Sequence, residues 1–222
     1  YDVAFTRRRS RVRFSQGVNY LKTILDYFIY MEIGNISHNE NTTNYIQTEI
    51  NNISNKRIKN ELNCYYAYSL GIKNRHYNGF FQFCKHLSKY ELIDVSSDNN
   101  IITASFILKV TDHKHTIISI IFDKKGVYPW KPPRVKIFNE HDYLGFLRVE
   151  SDFLNKINID VICLCCSSII CHNNWNVQKK ICNILDEIYE NFIIKSRYMD
   201  HIMCKKVTEH IFGTYLPIIE FL

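Results

Sequence analysis

Four of the eight cysteines of this 222-residue chain crowd together as Cys163, Cys165, Cys166 and Cys171, with His172 beside the last. Thiols at such spacing can do three kinds of chemistry. One thiolate can serve as a nucleophile. Several, with the imidazole, can hold Zn²⁺, which soft thiolates suit. Two can oxidise, with Cys165 or Cys166 trapping Cys163 as a disulfide. Two Cys-x-x-Cys pairs, the mark of a strong zinc site, are not present, so no metal is assigned. The plain alternative for each is a buried structural cysteine, because free Cys is among the most buried residue types. Crowding is also unlike a spaced disulfide framework, so reduced thiols in a cytosol-like compartment are expected.

Other chemistries are disfavoured. Seven glycines build no Walker loop or dinucleotide fingerprint, and no His-Glu-x-x-His is present. Residues 1–14 hold Arg7, Arg8, Arg9, Arg11 and Arg13 against Asp2, which is most of the formal net charge of +6. Such an arm can bind nucleic-acid phosphates, act as a nuclear address or dock on an acidic surface; a solvated tail is the alternative. No aromatic residues interleave with the arginines as a stacking platform would require. The sequons at Asn35, Asn41 and Asn52 are expected by chance in so Asn-rich a chain.

At 46% apolar and 23% charged the chain is globular and long enough to bury a core. No apolar run reaches membrane-spanning length, and no signal-peptide pattern appears. The chain opens at Tyr1 and not at Met, consistent with an upstream segment that has been lost or removed. Richness in Ile, Asn, Lys and Tyr suggests an AT-rich genome, such as a protist's or a large DNA virus's. A cytoplasmic or nuclear location is expected, or for a viral protein the host cytoplasm or virion.

Apolar residues at helical spacing predict helices over 18–31, ending near Gly34, and over 57–70. The Asn-rich segment 35–56 between them reads as a loop or linker. Residues 79–89, with Phe80, Phe81, Phe83, Cys84 and Leu87, predict a third helix. The period then changes, giving strands over 91–95, 101–111, 115–122 and 135–138. Three of the four prolines lie in Tyr128-Pro129-Trp130-Lys131-Pro132-Pro133, where each ring fixes φ and removes a donor. Residues 139–152 read as an inserted loop turning at Gly145. A helix over 177–194 carries the stripe Ile181, Ile184, Leu185, Ile188 and Phe192, and a last helix covers 199–212, stopped by Gly213 before Pro217.

This order resembles the core of ubiquitin-conjugating enzymes. The resemblance rests on Tyr128-Pro129-x-x-Pro132-Pro133 before a strand, then Ile162-Cys163-Leu164, then Trp175 and an amphipathic helix. It covers roughly residues 79–213, with its specific signal in 128–193. The family's His-Pro-Asn triplet has its Asn eight residues before the catalytic Cys. Asn155 stands eight residues before Cys163, but the triplet reads Phe153-Leu154-Asn155.

The resemblance implies an α+β fold, a four-stranded antiparallel sheet with flanking helices, preceded by a mostly helical extension. It divides the chain into a basic arm and helical extension (1–78) and a core domain (79–222). It implies acyl transfer, with Cys163 carrying ubiquitin as a thioester and passing it to lysine, and no metal or organic cofactor. Asn155 would donate an amide N–H to the oxyanion or hold the loop. Asp200 would help desolvate and deprotonate the lysine, although by itself it reads as a solvated helix-cap aspartate. Ubiquitin, a ubiquitin-activating enzyme and a ubiquitin ligase are the implied partners. Trp130, with Pro132 and Trp175, marks the ligase-facing side; the family's Ser-Pro-Ala after the Trp is replaced by Asn176-Val177-Gln178. A catalytically inactive relative used for binding or assembly is the alternative.

Overall fold

The computed structural model describes residues 40–72, 82, 84–98, 100–111, 114–125, 128–138, 141–161 and 163–212. The arginine arm, the helix expected at 18–31 with Gly34, most of 79–83, Ile162 and the tail with Gly213 and Pro217 lie outside the described residues.

Two helices precede the sheet. Helix α1 (Glu40–Asn52) corrects the expectation of a loop over 35–56. Its apolar residues are few, but Ile46 and Ile50 lie one turn apart, and both are buried with Ile53. Packing against the first strand and the next helix supplies what an Asn-rich sequence lacks in propensity. Helix α2 (Lys56–Ser69) starts at Asn55, whose side chain accepts from the N–H groups of Arg57 and Ile58. It buries Ile58, Leu62 and Tyr65. It stops at Gly71 (φ +69°), where Gly71 N–H donates to Tyr68 O and Ile72 N–H to Ala67 O. That double closure needs a left-handed residue, which glycine adopts without strain.

The sheet is an antiparallel meander, β1 (Tyr90–Ser97), β2 (Ile101–Thr111), β3 (Lys114–Asp123), β4 (Arg134–Ile137) and β5 (His141–Asp142), in that spatial order. It therefore has five strands where four were expected, the fifth pairing two residues with β4. Alternation buries Ile102, Ala104, Phe106 and Leu108 on β2 and Ile118, Ile120 and Phe122 on β3. On β1 the buried set runs Tyr90, Leu92, Val95, because a bulge between Leu92 and Asp94 shifts the phase.

The segment 84–89 is not the expected helix: its only regular piece is a 3₁₀ turn, Leu87–Lys89. Its backbone is held from outside instead, with the N–H groups of Lys85 and His86 donating to the Asp186 carboxylate at 2.9 Å each. Among the described residues, the helices on the N-terminal side of the sheet are α1 and α2, and both contact β1. One hydrophobic core runs through α1, α2 and strands β1 to β4, so residues on both sides of position 78 share it.

After the sheet come three short helices, α3 (Tyr143–Phe146), α4 (Ser151–Lys156) and α5 (Leu164–Ser167). The expected loop over 139–152 is thus largely ordered into β5, α3 and the start of α4. Gly145 sits inside α3, its N–H taken by the Asp142 cap at 3.1 Å. Helix α6 (Ile181–Phe212) is one continuous 32-residue element, correcting the two helices expected. No Gly or Pro interrupts it, and the stripe through Ile181, Ile184, Leu185, Ile188 and Phe192 extends to buried Tyr198. Lys195 bridges the expected gap, its Nζ lying 5.1 Å from the centre of the Tyr198 ring and 5.6 Å from that of Phe146. No helix among the described residues is long and apolar enough to cross a membrane.

Candidate active site

The proline turn is fixed by a buried polar junction. The Tyr128–Pro129 peptide is cis. The Tyr128 ring meets Phe122 at 5.0 Å and Trp175 at 6.1 Å between centroids. Its hydroxyl donates to the carboxylate of Glu61, a residue only 4% exposed on α2. The same carboxylate accepts from Ile181 N–H at the start of α6 (2.7 Å) and from Arg57 Nε (2.8 Å). Arg57 continues outward to the carbonyls of Val177 and Lys179. Asn55 Nδ2 donates to Tyr128 O at 3.0 Å. Trp175 closes the frame by donating Nε1–H to Pro129 O at 2.7 Å. One helix thus joins the proline turn, the Trp175 loop and α6.

Glu61 and Arg57 were not among the expected site residues. The available signal was an Arg57/Glu61 pair at i,i+4, with a carboxylate set among Ile58, Leu62 and Tyr65 in an apolar stripe. Of the expected partner-facing residues, Trp130 is 74% exposed, whereas Pro132 and Trp175 are half-buried, the latter committed to Pro129.

Cys163 precedes α5 in an extended conformation (φ −157°, ψ 129°). Its carbonyl accepts from Ser167 N–H (3.1 Å) and Ser167 Oγ–H (2.9 Å), and the next residue, Leu164, is buried. Further along, Asn174 Nδ2 donates to the carbonyls of Cys166 (2.6 Å) and Ser168 (3.1 Å). Ser168 Oγ and Ile169 N–H both donate to Glu187 of α6. The loop is therefore pinned at both ends while Cys163 remains half-buried.

The Cys163 thiol is pulled below its ordinary pKa, first by a hydrogen bond from the Cys165 thiol and next by the backbone N–H of Cys166. Cys165 moves the other way, raised first by that same hydrogen bond and then by burial. The sulfurs of Cys163, Cys165 and Cys166 all lie within 4.8 Å of one another. Cys171 and His172 do not join them, so the five-residue cluster suggested by spacing reduces to three thiols.

Asn155 sits on α4 and is exposed; among the described residues no hydrogen bond joins it to Cys163. Phe153 and Leu154, where the resemblance would put His and Pro, are both buried. Phe153 packs on α6, 5.2 Å from Tyr198 and 5.3 Å from His201 between ring centroids. That contact brings the helix of Asn155 alongside the turn bearing Asp200, which is exposed within α6 and caps nothing. Comparisons of the chain with models of protein families, with curated proteins and with solved structures found no match.

Proposed function

We propose that the protein is an acyl carrier of the ubiquitin-conjugating type, with Cys163 as the thioester nucleophile. The observation that carries this reading is the Cys163 thiol itself, solvent-reachable, held in a pinned loop and biased toward its thiolate by the neighbouring thiol and amide. In the first half-reaction the Cys163 sulfur attacks the thioester carbonyl of ubiquitin on an activating enzyme. The activating enzyme's thiolate leaves. In the second, a neutral lysine amine attacks the Cys163 thioester, an isopeptide bond forms, the C–S bond breaks and Cys163 departs as thiolate while the amine's proton passes to solvent or a base. Asn155, exposed on α4, is the residue proposed to donate to the oxyanion, and Asp200 the one to assist the lysine. Trp130 is the proposed contact for a ubiquitin ligase because it is apolar, large and exposed without a packing role. A cytoplasmic or nuclear site of action follows from this reading.

A second reading, a non-catalytic module with the same framework, is favoured by one observation. Phe153 and Leu154 are buried in α4, and among the described residues no hydrogen bond joins Asn155 to Cys163. A charging reaction separates the two. The reduced chain is incubated with activating enzyme, ATP and ubiquitin beside Cys163→Ala and Cys163→Ser. A thiol-labile adduct on the native chain, absent from Cys163→Ala and thiol-resistant in Cys163→Ser, supports the carrier. No adduct with any activating enzyme leaves the binding module.

A further inference from the structure

We propose that Cys163, Cys165 and Cys166 form a three-thiolate site for a soft d¹⁰ cation, Zn²⁺ or Cu⁺, and that its occupancy withholds Cys163 from acyl transfer. The binding site stands on its own geometry; only its inhibitory consequence rests on the acyl-carrier reading. A metal 2.3 Å from each of three sulfurs requires them about 3.8–4.0 Å apart, whether the arrangement is trigonal or part of a tetrahedron. Cys165 Sγ and Cys166 Sγ stand 3.9 Å apart, and all three sulfurs fall within 4.8 Å. Closing on an ion therefore needs movements of under about 1 Å.

The backbone explains the convergence. Cys163 is extended and Cys165 and Cys166 lie in the first turn of α5, so the chain folds a Cys-x-x-Cys spacing back on itself. The surroundings hold that shape without an ion. Ser167 is bonded to the Cys163 carbonyl and Asn174 to the Cys166 carbonyl, so the ligands are ordered before binding. Thiolate ligands select Cu⁺ and Zn²⁺ over hard cations. Among the described residues no fourth His, Cys, Asp or Glu atom joins the group, which leaves Cu⁺ three-coordinate or Zn²⁺ with one exchangeable water or thiol. Binding displaces up to three protons, one from each thiol still protonated, and forms three metal–sulfur bonds with no change of oxidation state.

The test uses the full reduced chain under anaerobic conditions, titrated in separate arms with Zn²⁺ and with Cu⁺ against a chromophoric chelator. The site predicts one equivalent bound in at least one arm. It also predicts that three of the eight cysteines become protected from alkylation, read by mass spectrometry. In the double variant Cys165→Ser/Cys166→Ser, whose sites are half-buried and exposed, that equivalent and the protection of Cys163 are lost while the melting profile is kept. Failure to bind either ion overturns the site, as does binding unchanged in the double variant. Ubiquitin charging of the native chain with and without one equivalent of ion then reads the consequence separately. Charging in the metal-free chain that stops on loading supports the block; charging unaffected by a bound ion refutes it. A chain that binds the ion but never charges retains the site and loses the acyl-carrier reading.

Discussion

Glu61 offers the sharpest quantitative test of how the framework is held. Its carboxylate is buried at 4% exposure and takes three hydrogen bonds, from Ile181 N–H, Tyr128 O–H and Arg57 Nε–H. In Glu61→Gln one acceptor oxygen becomes an NH₂ group. One of the buried donors then loses its partner, at about 1–3 kcal/mol. Glu61→Ala strands all three and leaves a void, for a loss of about 3–5 kcal/mol. The Arg57 ion pair contributes little of this, since that side chain is 30% exposed and partly screened. Urea unfolding followed by tryptophan fluorescence gives the numbers, with Trp175 reporting from beside the proline turn. A cycle with Tyr128→Phe should show a coupling of about 0.5–3 kcal/mol. If Glu61→Ala shifts the unfolding free energy by less than about 1 kcal/mol with an unchanged denaturant slope, the junction does not hold the framework.

Three further outcomes are expected. Trp175→Phe should lose about 1 kcal/mol, the net worth of its hydrogen bond to Pro129 O, measured in the same urea titration. Trp130→Ala should leave stability within about 0.5 kcal/mol, because the residue is 74% exposed, while ligase-stimulated ubiquitin transfer falls and charging of Cys163 does not. The His201 pKa is lowered, first by burial and then by Lys156 and Lys205. In that window the unfolded chain binds the proton more readily than the folded one, so stability should decline as pH falls through the unfolded value near 6.5 and level off below the folded one. Melting temperatures between about pH 7.5 and 5.5 read this, and His201→Gln should remove that part of the slope.

What the sequence disclosed depended on whether local pattern or distant contact decided the structure. Strand β2 has the bounds expected from its β-branched run and flanking turns, because both signals are local. The α6 stripe was legible for the same reason, but its length was not. Nothing in 194–199 breaks a helix, and Tyr198 is held in place by Phe153 from another part of the chain. Helix α1 escaped notice because two isoleucines among asparagines form a stable face only against β1 and α2. The aromatic run near position 80 suggested a helix, yet residues 84–89 follow the Asp186 carboxylate, about 100 positions away in sequence. The same holds at the site. Spacing showed a crowd of thiols and the resemblance singled out Cys163, whereas its close approach to Cys165 and Cys166 depends on the backbone at the start of α5.

The proposed role of Cys163 is to carry an acyl group. The most direct measurement is peptide mapping, by mass spectrometry under non-reducing conditions, of the chain after incubation with activating enzyme, ATP and ubiquitin. A ubiquitin carboxyl terminus joined to Cys163 is expected, and an ester at the same position in Cys163→Ser. An adduct on Cys165 or Cys166 with Cys163 free, or no adduct on any cysteine, would contradict it.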